Sequence, residues 1–158
     1  MCVAFPIRSY DGTLVAVNAR AIETCDPGDR HRIRGQKSLG VFSHTALQAD
    51  SVILVESAIN AMSLATCGFT AAATIGTSVP RWLPQTLALK KVVIAYDADE
   101  GGNKGAERLV QVVRLTRGII RLSPPVPYND WNDALRGIRR GQLTAWLQAH
   151  LPRPMGTF

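Results

Sequence analysis

Two carboxylates spaced two residues apart, Asp97 and Asp99, close a short apolar run and lead into a glycine-rich turn in AYDADEGGNKGAERL. The run from Val92 to Ala95 has the length and β-branching of a buried strand. Beyond the turn, Ala106, Leu109, Val110 and Val113 fall at i, i+3, i+4 and i+7, the apolar stripe of a helix packed on a sheet. Acids placed between such a strand and such a helix face the crevice at the carboxyl end of an α/β sheet. There they offer the hard oxygen ligands that Mg²⁺ takes while keeping several waters. The same residues also suit a plainer arrangement, in which Asp99 or Asn103 caps the helix and Asp97 is solvated surface.

The rest of the chain supplies more acids at equivalent places. Val52 to Val55 is a second apolar run and ends in Glu56; the helix expected after it carries Ala58, Ala61, Met62 and Ala65 on one stripe and stops at Gly68. Thr70 to Ile75 reads as a third strand, followed by Gly76-Thr77-Ser78, small residues that let backbone N–H groups approach an anion. A short helix is expected over Pro80 to Leu89 and a fourth strand over Ile119 to Leu122. Next comes SPPVPYNDWNDALRG, read as a proline-stiffened loop that carries Asp130, Asn132 and Asp133, with Trp131 packed on the sheet or stacked on a base. Leu143, Trp146 and Leu147 suggest a last helix. Alternating strands and helices imply a parallel sheet, so Glu56, Asp97, Asp99 and Asp130 share one edge. Carboxylates gathered in this way repel one another unless cations compensate. A divalent ion resolves the conflict and suits phosphoryl chemistry.

The first third has a different character. Val3 to Ile7 and Thr13 to Ala19 flank Ser-Tyr-Asp-Gly as a hairpin would, and Pro6 places the first strand at an edge. Arg30, Arg32, Arg34 and Lys37 then crowd a segment read as a basic loop around His31, before a short strand over Gly40 to Ser43 and a brief helix over Thr45 to Ala49. Residues 1–48 are thus expected to form a small basic β-rich subdomain ahead of an α/β unit over 49–158. With a formal charge of +6 in 158 residues, a polyanionic partner is the natural expectation, and a solvated basic loop the alternative. No apolar run approaches 18 residues, so no membrane span is expected, and the N-terminus does not read as a signal peptide. Cys2, Cys25 and Cys67 form no CxxC pair, which fits a reducing cytoplasm and argues against structural zinc. The three histidines show no metal-ligand spacing.

Taken together, Glu56 in VILVESAINAMSL, the glycine of ATIGTS and the DxD of AYDADEGGNKGAERL resemble the Toprim domain of bacterial-type primases, topoisomerases, OLD-family nucleases and RecR-type repair proteins. The resemblance covers roughly residues 50–136 and implies a Rossmann-like parallel sheet flanked by helices. Tyr128 to Leu135 is similar to the acidic loop of primases, and FPIRSYDGTLVAVNARAI to the basic subdomain that precedes Toprim in their cores. It implies a catalytic set of Glu56, Asp97 and Asp99. Glu56 would be general acid or base near a 3′ hydroxyl, and Asp97, Asp99 and Asp130 would join it around Mg²⁺, for which Mn²⁺ substitutes. Arg20 would face the template or nucleotide groove. With Arg30, Arg32, Arg34 and Lys37 it would make phosphate contacts that do not read sequence. Gly76, Thr77 and Lys104 would meet nucleotide phosphates.

The implied activity is Mg²⁺-dependent primer synthesis from nucleoside triphosphates on single-stranded DNA, with a helicase or a separate primase domain as possible partner. A metal-dependent Toprim nuclease and a non-catalytic DNA-binding module of a repair or mobile-element protein are the alternatives. Ser57 and Asn60 depart from the family's Gly and Asp, and neither a zinc ribbon nor the front part of a primase core is recognisable. The chain is therefore read as a fragment or as a reduced stand-alone member.

Overall fold

The structure is a computed structural model and describes residues 1–22, 31–113 and 115–151. Every apolar run noted above forms a strand, and the eight strands among the described residues join one sheet in the order β3-β2-β1-β4-β6-β5-β7-β8. β1 (Cys2–Arg8) and β2 (Leu14–Ala21) form the expected antiparallel hairpin. In its turn, the Asp11 carboxylate accepts hydrogen bonds from the Ser9 hydroxyl and from the Thr13 N–H at 3.1 Å. Pro6 does not mark an edge of the sheet, because β1 lies between β2 and β4 (Val41–Phe42). The β1–β4 ladder is confined to Ile7 and Arg8, so the N–H that Pro6 lacks breaks no bond of it.

The segment read as a basic loop is, from His31, a third strand, β3 (His31–Gly35), exposed along its whole length at the sheet's edge. Arg30 lies outside the described residues. A 3₁₀ turn (Lys37–Leu39) leads into β4, and a second (His44–Gln48) follows it.

The second half is wound as the alternation implies. β5 (Ser51–Val55), α1 (Ala58–Thr66), β6 (Ala71–Ala73), α2 (Leu83–Thr86), β7 (Lys91–Ile94), α3 (Glu100–Val112) and β8 (Gly118–Arg121) follow in turn, and the four strands are parallel. β4 pairs antiparallel with β6 through Phe42 and Ala73, so hydrogen bonding runs unbroken from the meander into the parallel strands. Residues alternate between two cores. Ile53, Val55 and Val93 face α1, α4 (Trp131–Gly137) and α5 (Arg140–His150). Val52, Leu54, Val92 and Ile94 face α2 and α3.

The helices depart from expectation where polar or small residues do the packing. In α1 the buried side is Ala58, Asn60, Ala61, Ser63 and Leu64, whereas Met62 and Ala65 point to solvent. In α3, Gly102 and Gly105 join Ala106 and Leu109 on the buried side, and Val110 is exposed. A Cβ on Gly105 would stand 2.5 Å from Thr77 Cγ2, so the helix seats closer than any side chain would allow. α2 is a single turn rather than the span from Pro80 to Leu89. The proline-rich stretch is not all loop, since α4 begins within it: Asp130 is the N-cap and its side chain accepts from the Asp133 N–H. Trp131 is fully buried and donates its indole N–H to Ala95 O at 2.7 Å, which settles it as a packing residue. No helix among the described residues is long and apolar enough to cross a membrane.

Candidate metal centre

Three helices begin at the carboxyl edge of the parallel strands, and each start fixes an acid. Glu56 sits between the end of β5 and Ser57, the N-cap of α1, whose hydroxyl accepts from the Asn60 N–H. Asp97 and Asp99 follow β7 after the buried Tyr96; Asp99 Oδ1 accepts from the Gly102 N–H at 2.7 Å and caps α3. Asp130 Oδ1 accepts from the Asp133 N–H at 2.7 Å and caps α4. The capping alternative is thus real for Asp99 and Asp130, and it occupies one oxygen of each. The positive ends of these helices also lower the cost of gathering acids.

Glu56 and Asp97 are drawn together directly. The Asp97 N–H donates to Glu56 Oε1 at 3.4 Å, and the first turn of α3 presses on both. A Cβ on Gly102 would lie 2.3 Å from Asp97 O and 2.8 Å from Glu56 Oε1. Burial pushes the Asp97 carboxyl up to about 7, reinforced by Glu56, Asp130 and Asp99, while the Asn60 hydrogen bond opposes the rise. Glu56 is also raised, mainly by burial and then by Asp99, against the Asp97 N–H and Arg121.

Two residues organise these acids. Asn60, almost wholly buried, donates from Nδ2 to Asp97 Oδ1 at 2.8 Å and accepts at Oδ1 from the Asn132 N–H at 3.2 Å. One amide therefore ties the β7 acid to the start of α4, and the Ala98 N–H adds a second tie to Asn129 O at 2.8 Å. The uncharged residue at this position is a donor to the acid, a role an ionised Asp could not fill.

Arg121 was missed. It ends β8, donates to the carbonyls of Ile94, Tyr96, Leu122 and Asp97 and to Asn103 Oδ1, and supplies positive charge beside Glu56 and Asp97. A cation closing the GIIR run at the acid-bearing edge was the available signal.

Among the described residues, no group of three or more His, Cys, Asp or Glu side chains stands ready to hold an ion. The donors that do gather are all carboxylate oxygens, two of them buried enough to be raised. That set fits a hard divalent ion which keeps much of its own water, and does not fit a closed protein cage.

The remaining expected contacts divide. Lys37 reaches the site's flank, donating to Ile75 O at 3.1 Å, and a Cβ on Gly76 would be 3.4 Å from its ammonium. Gly76 adopts φ +94°, and its N–H donates to Glu56 O at 2.7 Å, which pins that turn to the acid-bearing edge. Beneath the turn the buried Tyr96 hydroxyl and Thr74 Oγ1 are 2.9 Å apart, and burial pushes the phenol up to about 12. Thr77 packs on Gly105. Lys104 is paired with Glu100 on the exposed side of α3.

Arg20 pairs across strands with Val3 and His31, whereas Arg32 pairs with Ala19 and Arg34 with Val17. Cross-strand partners share a face and neighbours alternate, so Arg20 and the two β3 arginines occupy opposite faces of the meander. These three arginines therefore do not share one face of the sheet.

Solved structures with the same fold are primase cores. The DnaG primase catalytic domain bound to ssDNA aligns with a TM-score of 0.74 at 21% identity over 96% of this chain and 53% of that one. The zinc-binding and RNA polymerase domains of the Aquifex aeolicus primase give 0.71 at 17% over 94% and 40%. The primase fragment of the bacteriophage T7 primase-helicase gives 0.61 at 20% over 90% and 62%. The chain thus spans roughly 40 to 62% of the length of these structures. No curated protein matches the sequence significantly. A family model described as Toprim-like matches residues 53–135, more than half the chain and every acid of the site, and the chain accordingly belongs to the Toprim-like family.

Proposed function

We propose that this protein is a primase-like nucleotidyltransferase that extends a 3′ hydroxyl on a single-stranded DNA template. The observation that carries the reading is the junction of Glu56 and Asp97, two half-buried acids with raised pKa values, joined by a hydrogen bond of 3.4 Å from the Asp97 N–H to Glu56 Oε1. Buried acids that disfavour their own ionisation gain most from a divalent ion. Glu56, Asp97, Asp99 and Asp130 would hold Mg²⁺, or Mn²⁺ in its place, with the two capping acids using the oxygen that the cap leaves over. The bound metal would supply charge to the phosphate oxygens and orient the reacting groups. Glu56 accepts the proton of the 3′ hydroxyl as its oxygen bonds to the α-phosphorus and the bond to pyrophosphate breaks. Arg121 holds the backbone of the Asp97 turn in place, and Lys37 beside Gly76 offers charge to the triphosphate. Residues 1–48 serve the template and 49–158 the chemistry. The partner this reading implies is a helicase or a separate primase domain.

Asn60 favours one competing reading, a module that binds DNA without chemistry, because it brings no charge where primases carry an acid. A single gel separates the possibilities: single-stranded DNA, labelled nucleoside triphosphates and Mg²⁺ or Mn²⁺, with wild type beside Asp97→Ala/Asp99→Ala. New oligonucleotides that vanish in the variant are the expected result. Template shortening that vanishes instead assigns a nuclease. DNA binding with neither product assigns the binding module.

A further inference from the structure

Tyr10 and Trp82 form an aromatic corner that the proposed chemistry does not use. β1 is antiparallel to β4, and β4 to β6, so β1 runs parallel to β6 and its following turn emerges on the same edge as Glu56 and Asp97. Tyr10 stands in that turn, 70% exposed, its ring centroid 6.1 Å from that of Trp82 at an interplanar angle of 60°. Trp82 is fixed, because its indole N–H donates to Leu39 O at 2.8 Å; only its ring face remains on offer. The two rings wall a cavity of about 320 Å³ whose other lining residues include Asp11, His44, Gln48 and Thr86. An exposed tyrosine over a held tryptophan, with acceptor-bearing side chains among the lining residues, is complementary to a flat heterocycle with an amino edge.

Charge and position select the source of that heterocycle. The net charge of +6 suits a polyanionic strand as that source. From β5, which carries Glu56, to β1 is three strand spacings of about 4.8 Å, roughly 14 Å along one edge. That separation is a few nucleotides of extended strand.

We infer that Tyr10 and Trp82 form a stacking pocket for one unpaired base of the single-stranded nucleic acid, a few nucleotides from the reacting end. The inference rests on the single-strand binding proposed above. Asp11 lines the cavity and spends Oδ1 on Ser9 and Thr13, which leaves Oδ2 to accept from an exocyclic amino group, so adenine, cytosine and guanine fit better than thymine.

The test is fluorescence anisotropy of labelled 12-mers, oligo-dA beside the same backbone made abasic, titrated with wild type, Tyr10→Ala and Tyr10→Phe. Loss of one stacked base weakens oligo-dA binding about 5- to 100-fold in Tyr10→Ala. Binding of the abasic strand stays unchanged, and Tyr10→Phe retains wild-type affinity for both. Equal melting temperatures of the three proteins establish that an exposed side chain was removed without loss of fold. Equal oligo-dA affinity in wild type and Tyr10→Ala overturns the pocket while single-strand binding stands. An equal drop on both strands also overturns it. If wild type binds neither strand, the reading on which the pocket rests fails with it.

Discussion

Asp97 concentrates the energetics of the site in one side chain. Its carboxyl, ordinarily near 3.8, is pushed up to about 7 by burial and by neighbouring acids, so the folded protein holds this proton more tightly than the unfolded chain. The stabilisation is fully present below the unfolded value and is lost as pH rises through 7. Metal-free melting temperature is therefore expected to fall between pH 4 and 8, and Mg²⁺ to restore it at pH 8 but not at pH 4. A flat profile with no metal response would contradict the site. Arg121 carries a second expectation. Arg121→Met leaves the carbonyls of Tyr96 and Asp97 without their donor, a loss on the order of 2 kcal/mol in a denaturant titration. Arg121→Lys recovers little of it, because one ammonium cannot reproduce the planar fork. Residues of this kind differ in how far the sequence announces them. Glu56, Asp97 and Asp99 each follow an apolar run and so declare their edge. Asn60 is visible only as a departure from a pattern, because nothing in an amide's identity says that both its ends are engaged. Arg121 hid at the close of a strand whose expected bounds ran one residue too far.

Among the elements, α4 shows how capping and chemistry share a residue. Asp130 both caps this helix and faces Asp97, and the two roles come apart on substitution. Asp130→Asn keeps a good cap and removes the charge, so stability holds while Mn²⁺ affinity falls. Asp130→Ala loses both, at about 1 kcal/mol in thermal unfolding. Equal Mn²⁺ affinity in Asp130→Asn and wild type would confine Asp130 to capping. The sequence concealed α4 because three prolines precede it, although the Asp-x-x-Asp spacing was the cue. It concealed β3 for the opposite reason: His31–Gly35 buries no residue, so no apolar alternation marks it. β5, β6 and β7 were plain because burial on both faces forces unbroken apolar runs. The stripes of α1 and α3 slipped because a buried amide and two glycines share the buried side with the apolar residues, and close approach leaves no trace in hydropathy.

For the whole molecule, one sheet carries a basic meander on one flank and an acidic crevice on the other. Its pairing narrows to Phe42 and Ala73 where the two directions meet. The opposite facing of Arg20 and the β3 arginines means that closeness in sequence overstated closeness in charge, since strand alternation is invisible until the strand is known. Among the described residues β3 is the last strand on its side, and a strand in that place is where another chain could pair. Arg32 and Arg34 then act as a guard against self-association, because two such edges meeting head to head would bring like charges together. Replacing both with valine is expected to turn a monodisperse solution into one that scatters light and binds amyloid dyes at low salt. On that account, part of the chain's positive charge protects the protein from its own copies.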